Sequence, residues 1–185
     1  MNANTWPPQS TIDELCAHCD APEFTLTGRT VPALVVDCHD ADTITAVIEL
    51  DGGFHKFAIR VQGIDSPEMT DKDPVVKDWA VRARNRMLTL LEAAQSSAGT
   101  PGSRFQVEGT YNRKDIKQGL RAAKPVVCLN LGEADKFGRV LADVRYSPDG
   151  PTLQETLIRE GYCKPYGING NLTKDVWKAD QCVKK

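Results

Sequence analysis

Apolar residues recur with two different periods along the chain. Between Thr43 and Leu50 every second position is apolar (Ile44, Ala46, Ile48, Leu50), and Phe57, Ile59 and Val61 repeat the alternation within Phe54–Val61. A period of two predicts half-buried strands, and the intervening Asp51-Gly52-Gly53 predicts the turn that joins them. Further strands are expected at Phe24–Thr27 and Val31–Asp37, broken by a turn at Gly28, and at Phe105–Tyr111, Val126–Leu131 and Val140–Tyr146. From Pro74 to about Gln95 the period lengthens. Trp79, Ala83, Met87, Leu90 and Leu91 fall at helical spacing, with Pro74 suited to the first turn. Shorter helices are expected around Ile12–Cys19, over Pro151–Glu160 with Gly161 as the stop, and over Thr173–Val183. Ser96–Ser103 reads as a loop and Asn112–Lys124 as a basic connection. Together these elements predict an α+β domain: a five-stranded OB-fold β-barrel with two to three packed α-helices. Residues 1–22 read as an N-terminal appendage to a domain over residues 23–185.

Composition narrows the class. With 185 residues, 41% hydrophobic and 26% charged, the chain reads as one globular unit and neither a disordered nor a fibrous one. No apolar run approaches the length that spans a membrane, so no membrane partner is expected. The first residues carry neither a basic nor an apolar leader segment, so an intracellular location is expected unless a leader has been removed. The net charge of −2 conceals an asymmetry. Residues 1–55 hold nine acids and one base, whereas residues 72–124 hold eleven bases and five acids. An acidic half beside a basic half suits a cation site next to a phosphate-facing surface, and equally two unrelated solvated faces.

The six cysteines are read as reduced thiols. Cys16 and Cys19 have the spacing of a metal hairpin, and Cys38 with His39 would supply a second pair for a structural Zn²⁺. The single pair does not establish such a site.

Three short clusters carry candidate chemistry: Asp40-Ala41-Asp42-Thr43, Arg60-Val61-Gln62-Gly63-Ile64-Asp65-Ser66-Pro67-Glu68, and Asp135-Lys136-Phe137-Gly138-Arg139. Taken one at a time, each also fits a turn or a helix cap. Taken together they describe one kind of site. Asp42 and Asp65 offer hard oxygen ligands suited to Ca²⁺ or Mg²⁺, and Glu68 is a carboxylate able to orient or deprotonate water. Arg60 and Arg139 supply planar forks for phosphate oxygens. With Ile59 and Val61 turned to the core, Arg60 is expected on the opposite face of its strand.

In order and spacing these clusters resemble the staphylococcal nuclease family, over about Phe24–Gly167, with Leu153–Tyr162 similar to that family's helix after the last barrel strand. The resemblance implies a calcium-dependent nuclease that hydrolyses single- and double-stranded DNA and RNA with low sequence specificity, leaving 3′-phosphates, and acts as a monomer. It implies Ca²⁺ in preference to Mg²⁺, held by Asp42, Asp65 and the main-chain carbonyl of Ser66, with Asp40 in the outer shell. Glu68 would be the general base, Arg60 and Arg139 the phosphate-binding groups, and Lys136 and Tyr166 substrate contacts. The chain departs from the family pattern at Ala41, where glycine is usual, and at Ser66, where threonine is common. The stretch Phe105–Lys124 reads as an insertion whose bases either track a second backbone segment or form a solvated loop. The alternative reading of the whole chain is a non-catalytic nuclease-like module that binds nucleic acid or protein.

Overall fold

The computed structural model describes residues 7–94, 104–147, 149–167 and 176–182. Among the described residues, seven strands and four α-helices follow in the order α1 (Gln9–Ala17), β1 (Thr30–Cys38), β2 (Thr43–Leu50), β3 (Gly53–Val61), β4 (Ile64–Asp65), α2 (Pro74–Ala93), α3 (Arg113–Ala123), β5 (Val126–Ala134), β6 (Val140–Arg145), α4 (Leu153–Arg159) and β7 (Lys164–Pro165). Five strands close a barrel in the order β1-β2-β3-β6-β5. All its pairings are antiparallel except β3 with β6. The architecture is α+β, a closed five-stranded barrel of OB type.

The β2–β3 hairpin shows why the alternation is legible. Leu50 pairs with Gly53 across a two-residue loop. Asp51 and Gly52 take φ of 51° and 79°, the left-handed pair that matches strand twist. That register turns Ile44, Ala46, Ile48, Ile59 and Val61 inward together. Each fully buried isoleucine contributes about 1.5–3 kcal/mol relative to exposure. Asp73 caps α2 by accepting the main-chain N–H of Val75 (2.8 Å), and Pro74 follows at the first helical position. The helix lays Val76, Trp79, Ala83, Met87, Leu88 and Leu91 on the barrel core. By contrast α1 buries no residue.

Three expectations fail locally. Phe24–Thr27 is irregular, because its main chain is used in turns: Thr27 N–H donates to Thr25 Oγ1 and Arg29 N–H to Leu26 O. Phe105–Tyr111 is also irregular. The carbonyls of Val107 and Gly109 accept the Asn85 side-chain amide of α2 (3.0 and 2.6 Å), so a helix side chain satisfies what a strand ladder would have. The basic connection is instead helix α3. Asn112 and Asp115 form a reciprocal capping box, and Ile116 and Leu120, four apart, are fully buried. Gly119 sits mid-helix because a Cβ there would collide with the Phe105 ring. Within Thr173–Val183 only a 3₁₀ turn at Ala179–Gln181 is seen, and 173–175 and 183 lie outside the described residues, as does Ser96–Ser103. No helix among the described residues is long and apolar enough to cross a membrane.

Candidate active site

The β1–β2 connection carries Asp40 and Asp42 to one end of the barrel. Thr43, the first residue of β2, pairs with Arg60 near the end of β3. The same register brings Val61 N–H onto Asp42 O at 2.8 Å. Asp42 is thereby fixed between two strands and is 7% exposed. Its Oδ1 accepts from Thr43 Oγ1 (2.9 Å), and its Oδ2 accepts from the Ser66 main-chain N–H (3.1 Å) and hydroxyl (2.7 Å). Arg60 Nη1 pairs with the same Oδ2 at 3.0 Å, while Nη2 donates to Ile64 O at 2.9 Å. A carboxylate held by three donors and a guanidinium is positionally rigid.

Arg139 arrives from the β5–β6 turn. Asp135 organises that turn: its Oδ1 accepts the main-chain N–H groups of Phe137 (2.9 Å) and Arg139 (3.0 Å), with Gly138 at φ 78°. Its Oδ2 accepts from Arg139 Nε at 2.8 Å and lies 2.7 Å from Nη2. Burial opposes ionisation of Asp135, but the hydrogen bonds from Arg139 and Phe137 outweigh it and hold the carboxyl below its ordinary value. Arg139 Nη1 then reaches Thr43 Oγ1 (3.3 Å), 96 positions away in the chain, and the guanidinium lies 5.5 Å over the Phe137 ring.

These groups line one open cleft of about 550 Å³, formed by Asp40, Asp42, Arg60, Ser66, Glu68, Phe137 and Arg139. Glu68 is exposed, in the segment that leads from β4 to α2. Arg60 lies opposite the inward Ile59 and Val61, as alternation requires. Asp65 is placed differently. It is 3% exposed, does not line the cleft, and its Oδ2 accepts the indole N–H of Trp177 at 3.3 Å. Lys136 lies over the Phe137 ring at 5.1 Å and does not line the cleft. Tyr166 lines a neighbouring cleft of about 620 Å³, between β3, β6 and α4, which shares Arg60 with the first.

Burial first, and then the neighbouring Asp42 charge, push the Asp40 carboxyl up to about 7. Asp42, Asp65 and the Ser66 carbonyl are all hard oxygens, the donor type that Ca²⁺ and Mg²⁺ take. In donor type the set suits such an ion, although Asp65 does not line the cleft and Asp42 Oδ2 already faces Arg60 Nη1 at 3.0 Å. It contains only two carboxylates, and among the described residues no three His, Cys, Asp or Glu side chains are grouped to hold a metal. Cys16 and Cys19 are exposed, whereas Cys38 is buried with its thiol donating to Asp40 O at 3.2 Å. His39 Nδ1 faces Arg113 Nη1 at 2.7 Å. The four residues considered for zinc are therefore not gathered as a ligand set.

Four residues of the site lie outside those singled out from sequence for roles. Thr43 bridges Asp42 to Arg139, Asp135 aims Arg139, Phe137 lines the cleft, and Trp177 anchors Asp65. The four-residue spacing of Asp135 and Arg139 within one turn was the available signal for the second. Scans against protein-family models and curated proteins return no match for this chain.

Proposed function

We propose that this chain is a calcium-dependent nuclease of the staphylococcal nuclease type, hydrolysing phosphodiester bonds of DNA and RNA. The observation that carries the reading is convergence. Two arginines, one outward carboxylate and a buried hard-oxygen carboxylate, drawn from three separate segments, line one open cleft.

Each group has a definite task in that reaction. As water attacks phosphorus, charge builds on the phosphoryl oxygens, and guanidinium donors already in place lower the barrier. Arg139 suits this task because Asp135 and Thr43 hold its fork while leaving it at the cleft wall. Arg60, the cross-strand partner of Thr43, supplies a second fork at the cleft. Glu68, exposed at the same cleft, takes the proton from the attacking water. Asp42, Asp65 and the Ser66 carbonyl would hold Ca²⁺, which would supply Lewis-acid polarisation of the phosphate and the water. Asp40 tunes the charge of that set through its hydrogen bond to the Asp42 N–H (3.1 Å).

One observation favours the second reading, a non-catalytic nucleic-acid or protein-binding module. Arg60 is engaged by Asp42 and the Ile64 carbonyl, an arrangement that also serves as a clamp between β3 and β4. Incubation with labelled single-stranded DNA and RNA in Ca²⁺, in Mg²⁺ and in EDTA separates the two. Cleavage in Ca²⁺ that is lost in EDTA and leaves 3′-phosphate ends supports the nuclease. Binding without cleavage in any metal supports the module.

A further inference from the structure

A basic groove lies on the outer face of β1–β3, under helix α3. The groove, of about 570 Å³, runs between that helix and the barrel, and Lys56, Lys117, Arg121 and Lys124 line it. Its one acid is Asp37, which is buried and already neutralised by Arg113 Nη2 at 2.6 Å and Lys117 Nζ at 3.5 Å. The remaining charge is uncompensated within the groove and positive. Helix α3 was built for this exposure. Ile116 and Leu120 fasten one side to the core, and Arg113, Lys114, Lys117 and Arg121 lie on the remaining surface with Asp115.

Strand register puts the groove and the cleft on the same face of β3. Arg60, Ala58, Lys56 and Phe54 share the outward face of β3, opposite Phe57, Ile59 and Val61. Arg60 lines the cleft and Lys56 the groove, about 13 Å apart along the strand at ~3.3 Å per residue. Thr43 and Thr45 on β2 pair with Arg60 and Ala58, so small polar side chains floor the path between them. Each end carries an outward aromatic ring, Phe137 (72% exposed) at the cleft and Phe54 (76%) beyond Lys56. The α3 end is tied to the cleft loop as well, through the Arg113 contact with His39, next to Asp40.

We infer that this groove is a backbone subsite for a single-stranded polynucleotide. A strand whose phosphate occupies the cleft continues along β3, places further phosphates on Lys56, Lys117, Arg121 and Lys124, and lays bases on the exposed rings. Alternating charge and aromatic surface is the chemistry that binds single strands without sequence preference. The inference rests on the nuclease reading of the cleft and adds that the protein prefers long strands to short ones.

The test is fluorescence anisotropy of the full chain with labelled single-stranded DNA of about 4 and about 16 nucleotides, the span of site sizes for one barrel of this type. EDTA is present, and the salt concentration is varied. Wild type is compared with Lys56→Ala/Arg121→Ala/Lys124→Ala. The single variant Lys56→Ala lies on the barrel and does not depend on α3 folding. Expected are tighter wild-type binding of the long strand and a loss of at least about tenfold in the triple variant. The salt slope should also fall by about 2, at roughly 0.7 per lost phosphate contact. Lys56→Ala alone should show about a third of that slope change. Equal affinity of wild type for both lengths, or long-strand binding untouched by the variants, overturns the subsite. Cleavage of the short strand in Ca²⁺ by the same proteins reports on the cleft separately, so the two readings fail independently.

Discussion

The cleft and the groove share the outer face of β3 yet hold their charges in opposite ways. In the cleft, Asp42, Arg60 and Arg139 are each fixed by two or more hydrogen bonds or ion pairs, at 2.7–3.4 Å. In the groove, Lys117 has a single long contact to Asp37 and is more than half exposed. Fixed charges cost no reorganisation when charge develops on a substrate, so they suit transition-state stabilisation. Loosely held lysines follow a flexible polyanion and act through salt-dependent attraction. On the proposed reading, one barrel face would offer an orienting site and a tracking surface, distinguished by how their cations are held.

Breaking the cleft should have the largest effect. Glu68→Gln removes the proposed base and keeps the side chain's size, so turnover should fall by roughly 10²–10⁴ with unchanged circular dichroism and melting temperature. Single-turnover kinetics and a thermal melt check both. Asp135→Asn keeps an acceptor for the turn N–H groups but loses the charge that pairs with Arg139. A misaimed guanidinium should slow cleavage by roughly ten- to a hundredfold, with strand affinity almost unchanged.

A third prediction concerns pH. Asp40 has an ordinary carboxyl value of 3.8 and is pushed to about 7 in the fold. Between those values the folded state binds a proton that the unfolded state has released, so folding stability decreases as pH rises from about 4 to about 7. In EDTA, urea titrations across that range should show the decline, and Asp40→Asn should flatten it. The smallest effect is expected at the groove. Asn112→Ala removes the acceptor for the Lys114 and Asp115 N–H groups, costing about 1 kcal/mol. Hydrogen exchange in the first turn of α3 should accelerate while that of β2 and β3 stays unchanged.

The same contrast governs what sequence reveals. The barrel strands are legible because a period of two survives in β2, β3 and β6, where one face is buried and the other is not. Helix α2 is legible from its proline start and its apolar repeat. Helix α3 is hidden. Its core contact is two residues, Ile116 and Leu120, among four bases, and Gly119 imitates a break although it is there to admit Phe105. Phe24–Thr27 misleads in the other direction. Its β-branched residues suit a strand, but among the described residues no neighbouring edge takes up its main chain.

Within the site, short-range pattern identified the charged residues and missed their supports. Asp42, Arg60 and Arg139 stand out as acids and bases at strand ends. The Thr43 bridge depends on a contact 96 positions long, and the Trp177 anchor on one 112 positions long. Neither distance leaves a local periodicity. Asp65 shows the limit clearly: as a residue type it fits a metal ligand, but only the fold shows that it is buried beside the cleft and bonded to an indole.

The measurement that bears most directly on the central claim is single-turnover cleavage of a labelled single-stranded oligonucleotide in Ca²⁺ by wild type and Arg139→Ala. Arg139 reaches the cleft wall through partners of its own turn and Thr43, so its removal leaves the barrel core intact. Wild type should cleave, and the variant should be slower by roughly 10²–10³ at full occupancy, as for loss of one preorganised donor to a developing oxyanion. A folded variant that cleaves at the wild-type rate, or a folded wild type that does not cleave at all, would contradict the account.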